Sequence, residues 1–247
     1  MSRVVSDEQG EAGHGYAMRE GKMNDTHTNR SYDEALNGLS DQIRTMGADV
    51  SSMLEDAVTA FRNHDVDGAK RLVERDLIVD RQHDDIRAAV VDILARLQPV
   101  ARDLREVLVA ERIAANLERI ADHAKSIGKR SIAGAASAPS RSTASILDRL
   151  QAGVVQALHD ILRALKERDA VLADQVRHTD TVLDQLYDDL FHAAVASLRS
   201  SSDTTLGEVD ALFVGKSLDR IGDHATNIAE EIRFMMKGDL PRATREV

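Results

Sequence analysis

A chain of 247 residues with a formal net charge of −10 and no cysteine excludes several classes at the outset. The negative balance removes general nucleic-acid binding, which needs a basic face against phosphates, and disfavours an anionic lipid surface. Missing thiols exclude disulfides, thiolate zinc sites and thiol catalysis, and they agree with a cytoplasmic location.

Residues 1–30 are rich in Gly, Asp, Glu, Asn and Thr, carry no apolar periodicity and no signal-peptide core, and read as a disordered tail. A first unit, 31–132, opens at Ser31 as a helix N-cap. Leu36, Leu39, Ile43, Met46, Val50, Met53 and Ala57 follow at the alternating three-and-four spacing of a bundle seam. A break at Asn63–Asp67 precedes a second helix striped by Leu72, Val79, Ile86, Val90, Ile93 and Leu97, which Pro99 ends. The third runs from Arg102 to Lys129 with Ile113, Leu117, Ile120, Ala124 and Ile127 inward. Residues 133–142, AGAASAPSRS, are small and apolar-poor, a linker. The pattern then restarts in a second unit, 143–240, followed by a short tail, 241–247. Its fourth helix carries Leu147, Val154, Leu158, Ile161 and Leu165. A fifth spans Asp169–Leu198, the loop Arg199–Thr205 follows, and a sixth has Val214, Leu218, Ile221, Ala225, Ile228, Ile232 and Met235 on one seam. Aromatics are only 3% and tryptophan is absent, so aliphatic helix-on-helix packing is expected. The reading is all-α: two tandem three-helix bundles. No run of about 18 apolar residues occurs, so no membrane span is expected.

One phrase occurs twice. LERIADHAKSI (Leu117–Ile127) and LDRIGDHATNI (Leu218–Ile228) match at seven of eleven positions, which marks a duplication and focuses the functional search on what both copies keep. Both keep an acid, three intervening residues, Asp and His: Glu118, Asp122 and His123; Asp219, Asp223 and His224. Residues four apart share a helix face, so each copy presents two carboxylates together, flanking rather than filling the core. The middle helix of each unit repeats the spacing with Asp80 and Asp84, and with Asp184 and Asp188. A single acidic pair of this kind is ordinarily a solvated helix face; recurrence on two helices of both units makes these eight residues candidate ligands. Four converging carboxylates repel, so such a patch protonates in part or binds a cation, and oxygen-only donors suit hard or intermediate metals. The histidines point away from the carboxylates and are expected to hydrogen-bond across the helix packing. Arg119 and Arg220 are expected to pair with neighbouring acids.

These phrases resemble the signature of the PhoU family of bacterial phosphate-transport accessory and regulatory proteins. Asp219–Glu230 meets its acidic-R-I-G-D-H-A-x-N-I-A-E pattern almost throughout. Glu118–Ile127 meets it with Ala121 in place of the usual glycine, and LQPVARDLR (Leu97–Arg105) is similar to a second family phrase. The resemblance implies two three-helix bundles related by a pseudo-twofold, and metal (iron, Mn, Mg or Zn) held by Glu118, Asp122, Asp219 and Asp223 with Asp80, Asp84, Asp184 and Asp188. It implies no catalysis. It further implies a cytoplasmic negative regulator of the phosphate-starvation response, coupling the ATPase subunit of the phosphate ABC transporter to a sensor histidine kinase, with a homodimer as a plausible assembly. Asp103 and Arg105 lack counterparts in the second unit and are candidates for a partner contact. The rival readings are a helical metal-binding protein with another role and a di-metal carboxylate enzyme. The enzyme would need Glu-x-x-His pairs, and only Glu11 and His14 fit that spacing. Replacing Glu118, Asp122, Asp219 and Asp223 together should abolish bound metal and leave helicity largely intact; unchanged metal content in that variant would sink the ligand assignment.

Overall fold

The computed structural model describes the backbone of residues 24–133, 138–200 and 205–238, and side chains from residue 32 onward except 132–133. Six long helices account for it: α1 (Asn24–Asn63), α2 (Val66–Leu97), α3 (Ala101–Ala133), α4 (Arg141–Glu167), α5 (Ala170–Ser200) and α6 (Thr205–Lys237). The seams read from the sequence line the core, where Met46, Met53, Leu72, Ile86, Leu117, Ile120, Leu158, Ile161, Leu218 and Ile228 are all essentially inaccessible, and α5, for which no seam is read, adds Leu183, Leu186 and Leu190. Each such aliphatic side chain contributes roughly 1.5–3 kcal/mol on burial, and this, more than helix propensity, holds helices of this length in place.

α1 begins at Asn24, ahead of the N-cap expected at Ser31. No Gly or Pro intervenes between Gly21 and Ser31, and once a helix is nucleated each added residue gains a hydrogen bond at little cost. The rest of the expected N-terminal tail lies outside the described residues. The linker is shorter on its far side than its composition indicates, because Ser140 caps α4 by accepting from the Thr143 amide at 3.4 Å, so Arg141 and Ser142 are already helical.

The duplication extends into the turns. α1 passes to α2 through His64 and Asp65, and α4 passes to α5 through Arg168 and Asp169. The first residue of each turn has a left-handed backbone, with φ 53° at His64 and 54° at Arg168. In each, the aspartate amide donates back to an alanine carbonyl at 2.9 Å, Asp65 to Ala60 and Asp169 to Ala164. The same aspartate then caps the next helix: the Asp65 carboxylate accepts from the Gly68 amide at 2.9 Å, and that of Asp169 from the Val171 and Leu172 amides at 2.8 and 3.0 Å. A helix-ending motif and a helix-starting cap are thus fused into two residues, which forces antiparallel neighbours.

α1 packs on α2 and α3, and α4 packs on α5 and α6, giving two three-helix bundles. α3 lies along α6 and joins them, while α1 and α4 touch more lightly, through Arg62 to Asp148 (3.0 Å) and His159 to Glu55 (2.8 Å). The start of α6 grips the linker. Glu208 is fully buried and accepts from the Ser140 amide at 2.7 Å. A Cβ on Gly207 would stand 2.5 Å from the Pro139 nitrogen and 2.6 Å from the Ala138 carbonyl oxygen. Those obstacles are backbone and cannot rotate away. Gly207→Ala should therefore lower stability by about 1–3 kcal/mol, despite alanine's better helix propensity, as read from the urea midpoint; a midpoint at or above wild type would refute this close approach.

Candidate metal centre

The fold sets α2 beside α3 and α5 beside α6, so the acidic faces of each pair meet at the flank of the core. Each middle helix contributes a row of three aspartates rather than two: Asp76, Asp80 and Asp84 on α2, and Asp180, Asp184 and Asp188 on α5. The inner member of each row, one turn before the expected pair, is the one carried deepest, and Asp76 is buried. Asp76 and Asp180 lie closer to the apolar seam, where a carboxylate is unexpected without a partner. The recurrence of Asp-x-x-x-Asp-x-x-x-Asp in both halves was the available signal.

In the second half, Asp180, Asp184 and Asp223 each offer an oxygen, and these oxygens all lie within 4.8 Å of one another, the one such acidic group among the described residues. Thr226 donates its hydroxyl to Asp180 at 3.1 Å. Burial first, then the repulsion of neighbouring carboxylates, pushes all three acids above the usual aspartate range, and the Thr226 hydrogen bond offsets this in part at Asp180. Such a set fits a hard cation: three oxygen donors, no nitrogen or sulfur, and a surplus of negative charge. Asp188 and Asp219 lie outside the group. Asp188 is exposed, and Asp219 is held by Lys216 at 2.6 Å.

The first half is arranged differently. Lys125 reaches between the helices and bonds Asp76 on α2 and Asp122 on α3, the latter at 2.6 Å. Burial disfavours its charge, but hydrogen bonds from its ammonium to Asp122 and Asp76 more than offset this and leave its pKa raised. Asp80 and Glu118 flank this pair and are pushed up, chiefly by burial. Asp84 is exposed. Arg119 spans Glu118 and Asp122 at 3.3 and 3.4 Å, and Arg220 approaches Asp223 at 3.5 Å, the neighbour pairing expected of both.

His123 and His224 face one another where α3 crosses α6, their rings stacked 5.8 Å apart at 30°. His224 Nδ1 bonds the Asn116 side-chain oxygen at 2.9 Å, and Asn227 reaches the same atom at 3.4 Å. Both histidines thus serve the junction between halves, as expected, and neither joins a metal group. Burial, reinforced by the facing His123, lowers the His224 pKa to about 4. Arg105 is half-buried against the end of α6, where a Cβ on Gly238 would stand 3.4 Å from its guanidinium carbon, and Asp103 sits in the first turn of α3. The Glu11–His14 spacing lies outside the described residues.

The model of the PhoU domain matches residues 43–131 and again 147–232, one copy per bundle. The phosphate-specific transport system accessory protein PhoU homolog of Xylella fastidiosa is 37% identical over 222 residues, spanning 89% of this chain and 92% of that protein. The accessory protein PhoU of Escherichia coli is 34% identical over 86% of this chain and 88% of its own length. The crystal structure of PhoU from Pseudomonas aeruginosa superposes with a TM-score of 0.81 at 28% identity, covering 84% of this chain and all of that one.

A histidine whose folded pKa lies below its unfolded value of about 6.5 makes the unfolded state the better proton acceptor. Its contribution is intact above pH 6.5 and is lost as pH falls toward the folded pKa of about 4. His224→Asn should flatten the stability profile between about pH 6.5 and 4 relative to wild type, measured by urea unfolding at a series of pH values; parallel profiles would show that the stack carries no such linkage.

Proposed function

This chain belongs to the PhoU family, and from that premise we propose that it is a negative regulator of the phosphate-starvation response, which couples the phosphate transporter's ATPase subunit to a sensor histidine kinase. A role in regulating phosphate transport follows from the family, whose members are accessory proteins rather than enzymes. The observation that carries the reading is the match of both bundles, over 86–89% of the chain, to relatives named as accessory proteins of the phosphate-specific transport system.

The physical character of the molecule supports an adaptor. Its helices are long, and several large apolar side chains stand exposed on the outer helices, Val91 on α2 and Val171, Val182 and Phe191 on α5. No helix among the described residues is long and apolar enough to cross a membrane. Asp180, Asp184 and Asp223 would hold a divalent or ferric cation. A bound cation would relieve their mutual repulsion and tie α5 to α6, stiffening one bundle without contributing to catalysis.

The test is alkaline phosphatase activity, a reporter of the starvation response, in a deletion strain grown with abundant phosphate. High activity that the intact gene restores to low is expected. Activity that stays low in the deletion strain would overturn the negative sign of the regulation.

A further inference from the structure

The two halves carry equivalent acidic rows, yet the space between the rows is filled by different groups. Lys125 in the first half and Thr226 in the second occupy the same place in the duplicated phrase. Lys125 lays its ammonium between Asp76 and Asp122; Thr226 offers only a neutral hydroxyl, to Asp180, the counterpart of Asp76. The lysine is no surface residue that happens to lean inward. Its side chain is 19% exposed and that of Asp76 is 6% exposed, so the pair is enclosed, and a buried aspartate keeps its charge at tolerable cost only with a partner of this kind.

We propose that Lys125 is the resident cation of the first half, that this half therefore takes no metal, and that metal capacity in this protein is confined to the second half. The part concerning the second half rests on the reading of Asp180, Asp184 and Asp223 given above.

An ammonium and a divalent ion are like charges competing for the same oxygens. For a metal to enter between α2 and α3, Lys125 would have to leave, and its stem is packed where the helices meet. The second half has a lysine too, but in another place. Lys216 corresponds to Ala115, pairs with Asp219 at 2.6 Å and lies 5.0 Å over the Tyr187 ring; Arg220, itself 54% exposed, approaches Asp223 at 3.5 Å from the solvent side, so cations stand at the rim of Asp180, Asp184 and Asp223 but no ammonium is enclosed among them. The donor set thus departs from the symmetric pair of centres that the resemblance implies. The duplicated acidic site carries its carboxylates in both copies and an internal counter-ion in one.

The test is equilibrium dialysis of the full chain against Mn²⁺, with bound metal counted by mass spectrometry. Five proteins are compared: wild type, Lys125→Thr, Asp184→Asn with Asp223→Asn, those three changes together, and Asp80→Asn with Glu118→Gln. Lys125→Thr copies a side chain that the second half already accommodates, and circular dichroism checks its fold. Wild type should bind about one ion per chain and Lys125→Thr about two. The aspartate pair should bind none, and the triple variant about one. If wild type binds none and Lys125→Thr binds one, the role of Lys125 stands while the second-half reading falls. No gain in Lys125→Thr over wild type overturns the proposal, as does loss of the wild-type ion on substituting Asp80 and Glu118 instead. A second readout does not depend on the variant folding. Lys125 in wild type should resist acetylation by acetic anhydride equally with and without Mn²⁺, and Mn²⁺-induced reactivity there would show that metal displaces it.

Discussion

Everything in this molecule is arranged about the packing of α3 against α6, two copies of one ancestral helix laid face to face. Contacts across that junction come in matched pairs. Arg112 meets Glu231 at 3.2 Å, and the counterpart pair, Phe213 and Arg130, meets as a cation over a ring at 3.7 Å. The same pair of positions is used at both ends, once as an ion pair and once as a cation–π contact. On the axis itself a residue must meet its own counterpart, and there the imidazoles of His123 and His224 stack. A self-facing pair has to be uncharged or share its charge, which is why histidine fits: it offers a flat apolar face and a ring nitrogen for Asn116, and burial keeps it neutral.

That junction also dictates where the acids go. In both phrases the aspartate directly precedes the axial histidine, so when His123 and His224 turn toward one another, Asp122 and Asp223 turn outward to opposite flanks, toward α2 and α5. The two carboxylate patches are consequences of one packing decision made twice. Their chemistry then depends on a single residue two turns into each phrase, Lys125 or Thr226.

Elsewhere the halves have drifted apart in ways that preserve volume. Ala121 stands where the second phrase has Gly222, and a Cβ on Gly222 would press to 3.3 Å from Leu183, whose counterpart on α2 is the smaller Val79. The added methyl on one helix is matched by one removed from its neighbour, as a close-packed interior requires. The linker clamp made by Gly207 and Glu208 has no such freedom, because its obstacles are backbone atoms and its carboxylate is buried.

By itself the sequence determined the helical class, the duplication, the apolar seams of five of the six helices and the family, because all of these are written in periodicity and in short-range repetition. It also showed that the histidines belong to helix packing and that Arg119 and Arg220 pair locally. Only the tertiary structure decided which carboxylates meet. Asp180 rather than Asp188 joins Asp184 and Asp223, because Asp180 is the partly buried member of the α5 row and Asp188 stands exposed. Only the structure revealed Lys125 as a bridge to Asp76, an approach between residues 49 positions apart that no helical wheel contains. Periodicity assigns a side chain to a face. Which atoms converge across two faces depends on the depth and register at which the helices pack, and those follow from the whole core.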